Sequence, residues 1–270
     1  MVSAMWGGSW DVQRFDEIDS TNAYLLRQAR LGAPEGTVAV AEHQSAGRGR
    51  LDRRWEAPPG ASLLVSVLFR PEFELAELHL CTVVMALAAS EACRRVAGVD
   101  PVLKWPNDVL VGEEKLAGVL AEAEFGGGAG GEGGEGGEGG VRGGTGGAVA
   151  VAAVVGLGLN IDWPGPAGVG GTCLRDLGAD AVDRAVLLEA LLEALSAHRA
   201  LLDSAVGRRE VVAELRNRCA TLGRRVRIEL ADEAVTGVAT EIDDAGHLVV
   251  QTAEGPRTVS AGDVVHLRPG

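Results

Sequence analysis

The chain has 270 residues, 46% of them apolar, and carries 25 Lys and Arg against 38 Asp and Glu, a formal net charge of −13. That length accommodates one large domain, or one of about 200 residues with a small companion, and the apolar share suffices for a packed core. So acidic a balance argues against a sequence-independent nucleic-acid binder, which needs a broad basic face to displace phosphate counterions.

The opening residues 1–15 lack the basic segment and apolar stretch of a secretory signal. The longest apolar run, 148–159, is too short for a bilayer and is interrupted by glycine. A cytoplasmic protein with neither membrane nor nucleic-acid partner is expected. Cys81, Cys93, Cys173 and Cys219 show no CxxC or Cys/His spacing, so they read as buried small side chains. The five histidines, His43, His79, His198, His247 and His266, read as structural or surface residues.

In chain order, Ser20 or Thr21 is placed to cap a helix through Leu31, with Gly32 at its exit. Thr37 to Glu42 and Ser62 to Phe69 alternate as strands. Between them lies AEHQSAGRGRLDRRW, residues 41–55, with arginines at 48, 50, 53 and 54. Each guanidinium offers a fixed fork of donors to a phosphate, and Gly47 and Gly49 allow close backbone approach. A solvated basic surface loop is the plainer alternative. Glu77 to Val96 is apolar at helical spacing, and Asp100-Pro101 returns the chain to extended form before Lys104-Trp105-Pro106-Asn107-Asp108. Lys115 to Glu124 and Val149 to Ile161 read as strands, the first opened by a cation that is costly there unless it faces a ligand or solvent.

The tract between them, Gly126 to Gly147, is mostly glycine with Glu132, Glu135 and Glu138 three residues apart, and is expected to be a disordered, dispensable connection. Asp180 to Ser204 and Arg208 to Cys219 read as helices. From Gly223 the pattern changes to short alternating strands, the mark of a small β-barrel.

Taken together and in order, Ser20-Thr21-Asn22, GRGR, KWPND, Lys115-Leu116-Ala117-Gly118-Val119 and Gly156-Leu157-Gly158-Leu159-Asn160 resemble the biotin protein ligases, over nearly the whole chain outside the glycine tract. The resemblance implies an α+β fold: a mixed β-sheet with packed helices, like the class II synthetases and biotin ligases, over residues 1–222, followed by an SH3-like barrel over 223–270. It implies that ATP and Mg2+ activate biotin to biotinyl-5'-AMP, and that the biotin then passes to a lysine of the carrier domain of an acyl-CoA or pyruvate carboxylase. Reaching Ser-Thr-Asn by residue 20, the chain looks like the single-function type without a DNA-binding region.

By the same resemblance, Ser20, Thr21, Asn22, Gln44, Arg48, Gly49, Arg50, Lys115 and Gly118 are expected at biotin. Arg50, Arg53, Trp55, Lys104, Asn107 and Asn160 are expected at the nucleotide, the two asparagines also near Mg2+. Arg48, Arg50, Lys115 and Asp108 are the expected catalytic set, Asp108 orienting a metal or accepting a proton from the incoming lysine. Asp52 stands where the family commonly has glycine. A lipoyl or octanoyl ligase, a DNA-binding repressor and an interaction module built on the barrel are the competing readings. Gln44, GRGR and KWPND favour biotin over the first, and the acidic balance weighs against the second.

Overall fold

β-Branched and apolar residues build two sheets in the computed structural model, which describes residues 9–51, 53–125, 150–230 and 232–267. The Gly126–Gly147 connection and the Asp52 departure lie outside the described residues. The larger sheet has seven strands in the order β1-β2-β3-β7-β6-β5-β4: β1 (Asp11–Ile18), β2 (Thr37–Gln44), β3 (Ser62–Phe69), β4 (Val102–Lys104), β5 (Asp108–Val111), β6 (Glu114–Phe125) and β7 (Ala150–Asn160). Only β1 and β2 pair in parallel, so the sheet is mixed.

Helices cover both faces. Helix α1 (Thr21–Arg30) packs Leu25 and Ala29 on Ala39, Leu68, Ala152 and Val154. The opposite face, with Val65, Val67, Val155, Leu157 and Val119, meets α2 (Leu80–Ala97), α3 (Arg184–Leu201) and α4 (Ala205–Arg218). Segment Leu75–Ala97 is long and apolar enough to cross a bilayer, yet here it is the core helix between the sheet and α3. Strand β3 is buried along its whole length because both its faces are covered. Asp183 caps α3 and Ser204 caps α4, so α3 begins later than expected and α4 earlier.

The expected small β domain forms a five-stranded antiparallel sheet, ordered β11-β10-β9-β8-β12, from β8 (Arg225–Glu229), β9 (Ala234–Ile242), β10 (Leu248–Thr252), β11 (Gly255–Val259) and β12 (Asp263–His266). Trp105, 3% exposed, joins the two sheets. Its indole N–H donates to Gly246 O (3.1 Å) and its backbone N–H to Thr221 Oγ1 (3.1 Å).

Candidate active site

The period-two alternation of strands creates the floor of the site. In β7, Val155, Leu157 and Leu159 point into the core, which leaves Gly156, Gly158 and Asn160 on the α1 face of the sheet. On the neighbouring β6, Gly118 stands opposite Gly158 and Leu120 opposite Gly156. The glycines are there because side chains lie on them. A Cβ at Gly158 would come within 2.6 Å of the Trp55 indole nitrogen, one at Gly118 within 3.1 Å of the same ring, and one at Gly156 would collide with the Asn22 amide. GLGLN, the last five residues of β7, thus turns its leucines into the core and its glycines to the cleft.

The N-terminus of α1 closes one end of the cleft. Ser20 caps it, accepting from Ala23 N–H at 3.4 Å. The Thr21 N–H and hydroxyl both donate to Gln44 Oε1, at 2.8 and 3.1 Å. Ser66, fully buried on β3, donates to Asn22 Oδ1 at 2.6 Å, and the Asn22 amide nitrogen donates to Leu120 O at 3.2 Å and Glu122 Oε2 at 2.8 Å. Capping and lining the cleft are done by the same residues, and the result is an end rich in fixed hydroxyl and amide groups.

The arginine loop folds into a small hairpin over this floor. Gly49 N–H donates to Arg53 O (2.7 Å), Trp55 N–H to Gly47 O (3.1 Å), and Arg48 bridges to Arg54. A Cβ on Gly47 would strike the Trp55 carbonyl. Leu51 at the tip takes φ +54°, a left-handed conformation costing roughly 1–2 kcal/mol for a residue with a side chain. Arg50 reaches inward and donates to Asn107 Oδ1 at 2.8 Å, while the Asn107 amide donates to Val119 O at 2.8 Å. Burial lowers the Arg50 pKa, and the Asp263 and Asp108 carboxylates act against that shift; a guanidinium stays charged regardless. Arg48 pairs with Glu122 at 3.0 Å, and Arg53 pairs with Asp263 of the β domain.

Lys115 sits beside a β-bulge in the pairing of β5 with β6. Its Nζ lies 2.5 Å from Asp108 Oδ1 and 5.7 Å from the Trp55 ring centre. Lys104 approaches the other Asp108 oxygen at 3.7 Å, so one carboxylate stands between two ammonium groups.

All nine residues expected at biotin line this one cleft, together with Arg53, Trp55, Asn107 and Asp108. Lys104 and Asn160 line an adjoining cleft that shares Arg53, Trp55, Asp108, Lys115 and Asp263 with the first. Asn160 directs its amide nitrogen to Thr172 O (2.9 Å) and Pro164 O (3.2 Å), clipping the 164–172 loop to the strand. Sequence reasoning missed Ser66, Glu122, Gly156, Gly158 and Asp263. Alternation within β7 could have found the two glycines, and alternation within β6 from Gly118 could have found Glu122; Ser66 and Asp263 are brought in from distant segments.

His266, lining the adjoining cleft, is pushed down to about 4 from its ordinary 6.5, chiefly by burial and then by Lys104 and Arg224, with Glu113 and Asp108 pulling the other way. The folded chain therefore keeps this imidazole neutral where the unfolded chain takes up a proton. Stability should fall as the pH drops from 6.5 towards 4, and His266→Gln should flatten that slope in thermal melts across the window.

Residues 14–130 match the Biotin/lipoate A/B protein ligase family and residues 221–267 the Biotin protein ligase C terminal domain. The chain is 36% identical over 256 residues to the biotin--[acetyl-CoA-carboxylase] ligase of Mycobacterium tuberculosis, covering 92% of this chain and 86% of that one. It is 30% identical over 244 residues to the bifunctional ligase/repressor BirA of Escherichia coli, covering 87% and 67% respectively. Its fold superposes on the biotin protein ligase from Aquifex aeolicus in complex with biotin and ATP with a TM-score of 0.73, at 26% identity over 96% of this chain and 99% of that one. The chain belongs to the biotin protein ligase family.

Proposed function

We propose that the chain joins biotin to ATP as biotinyl-5'-AMP and transfers the biotin to a lysine of a biotin carboxyl carrier domain. One observation carries this reading. A pocket end lined by fixed hydroxyl and amide groups opens directly onto Arg50 and Lys115, beside an indole lying on a glycine floor.

A carboxylate is a poor acyl donor because its leaving group is oxide. Activation makes a bond from the biotin carboxylate oxygen to the α-phosphorus and breaks the bond to the β-phosphate, releasing pyrophosphate. The lysine amine then attacks the acyl carbon, AMP leaves, and the amine loses its proton. Ser20, Thr21, Asn22 and Gln44 suit the polar ureido ring. Arg50 and Lys115 suit the carboxylate and α-phosphate, where fixed cations stabilise charge that grows in the transition state. Arg48 and Arg53, tethered to Glu122 and Asp263, hold the loop across the cleft and keep water from the mixed anhydride. Trp55 offers its face to adenine, and Lys104 lies in the adjoining cleft where phosphates would run. With Lys115 at 2.5 Å, Asp108 fixes the position of that ammonium group.

Mg2+ accompanies ATP in this reading. Among the described residues no cluster of three His, Cys, Asp or Glu side chains could hold a metal, and Asp108 is taken up by two lysines. The described side chains therefore form no magnesium cage, and such an ion would serve to neutralise charge on the phosphates. The proposed reaction needs a compartment that holds both ATP and a biotin carboxylase, as the cytoplasm does. The acceptor is the carrier domain of acetyl-CoA carboxylase or a related acyl-CoA or pyruvate carboxylase.

ATP–pyrophosphate exchange by the purified chain, with biotin, lipoate or octanoate in turn, tests the proposal. Exchange should depend on biotin. Exchange with lipoate or octanoate alone would transfer the chain to the other acyl ligases, and none with any acid would end the enzymatic reading.

A further inference from the structure

Glu122 was not among the residues the sequence pointed to and does not itself line the cleft, yet its side chain touches two residues that do, Asn22 of the polar end and Arg48 of the loop. It faces the site because it shares the β6 face with Gly118 and Leu120. One oxygen, Oε2, accepts from the Asn22 amide nitrogen at 2.8 Å; the other, Oε1, faces Arg48 Nη1 at 3.0 Å. Asn22 is buried, and its amide is oriented from both sides, the nitrogen by Glu122 and Leu120 O, the oxygen by the Ser66 hydroxyl. Arg48 lies between Gly47 and Gly49, where the backbone resists little, so its side chain needs an external hold.

We propose that Glu122 is a positioning residue of the ligase reaction, its carboxylate fixing the Asn22 amide in the polar pocket and tethering Arg48 so that the arginine loop seats over the cleft. The inference rests on the proposed biotin chemistry for its substrate, and on geometry alone for the tether. Because one carboxylate serves both contacts, whatever orders Asn22 also favours the seated loop, and the coupling runs equally in both directions. Arg48 and Glu122 side chains are 43% and 25% exposed, so solvent screens the pair and its effect is moderate.

Glu122→Gln separates the two contacts. The amide oxygen of glutamine still accepts from Asn22, while its NH2 group turns towards the Arg48 guanidinium and repels it. Trypsin should cleave the 48–54 loop of the ligand-free variant about three- to fivefold faster than in the parent chain, with biotin affinity within about twofold and an unchanged melting temperature. Biotinyl-5'-AMP should dissociate about three- to fivefold faster. Glu122→Ala, losing both contacts, should weaken biotin binding as well. Loop cleavage in Glu122→Gln equal to the parent's, or biotin affinity falling as far as in Glu122→Ala, would overturn the inference. If the parent chain itself binds no biotin, the ligase reading fails while the ligand-free cleavage still decides the tether.

Discussion

Replacing Lys115 with methionine should slow biotin-dependent ATP–pyrophosphate exchange by roughly 10²–10³-fold, with little change in melting temperature. The ammonium group stands at 2.5 Å from Asp108 and over the Trp55 ring, so its place is fixed before any substrate arrives. A preset cation pays no reorganisation penalty as charge builds on the α-phosphate oxygens, which is why its removal costs about 2.7–4 kcal/mol in comparable sites. Methionine keeps the unbranched length of the chain and can still lie against Trp55. Asp108 keeps Lys104 at 3.7 Å, so the substitution does not strand a carboxylate. The loss should appear in kcat more than in the KM for biotin, because the charge it meets is largest in the transition state. Exchange within tenfold of the parent rate would remove Lys115 from the catalytic role.

Much of the site was legible because its residues come in short runs whose local conformation the sequence itself dictates. Ser20-Thr21-Asn22 is a helix cap, GRGR is a glycine-hinged turn between two strands, and KWPND is a proline-stiffened turn. Strand β1 escaped notice for a physical reason. At the sheet's edge DVQRFDEI is largely half-buried or exposed, so no clean apolar alternation marks it. Strands β4 and β5, at the opposite edge, are only three and four residues long. Trp105 read as part of a turn, whereas its ring fills the junction between the two sheets, a contact 141 residues away in sequence. Ser66 looked like one polar residue in an apolar strand, and its meaning appears only once α1 lays Thr21 and Asn22 against it.

The same distance hides how the loop is held. Its four arginines look alike in sequence, yet Arg50 goes inward to Asn107, Arg48 to Glu122 on β6, and Arg53 to Asp263 on β12. The small β domain therefore contributes a wall of the cleft in addition to being a C-terminal appendage. An acidic chain supplies these local cations with fixed carboxylate partners, which gives the loop a defined position without a second basic surface.

Gly158→Val should raise the KM for ATP roughly tenfold to a hundredfold and leave biotin binding much less affected. Gly158 lies near the C-terminal end of β7 but between two strands, paired on one side with Leu64 and on the other with Gly118, where valine's branched side chain suits the backbone. What it does not suit is the space above. The added Cβ would meet the Trp55 ring, with its nitrogen at 2.6 Å, and the ring already lies close on Gly118 of the neighbouring strand as well, so it has no room to settle lower. The indole must lift off the floor, taking with it the surface proposed for adenine, and stacking of a base on an aromatic ring is worth about 1–3 kcal/mol. The polar end of the cleft is built on Gly156, whose neighbour is Asn22, two residues along the same face. Titrating each substrate separately checks the division. Equal losses for biotin and ATP would mean that the glycine floor serves the sheet as a whole, and an unchanged KM for ATP would take Trp55 out of the nucleotide site.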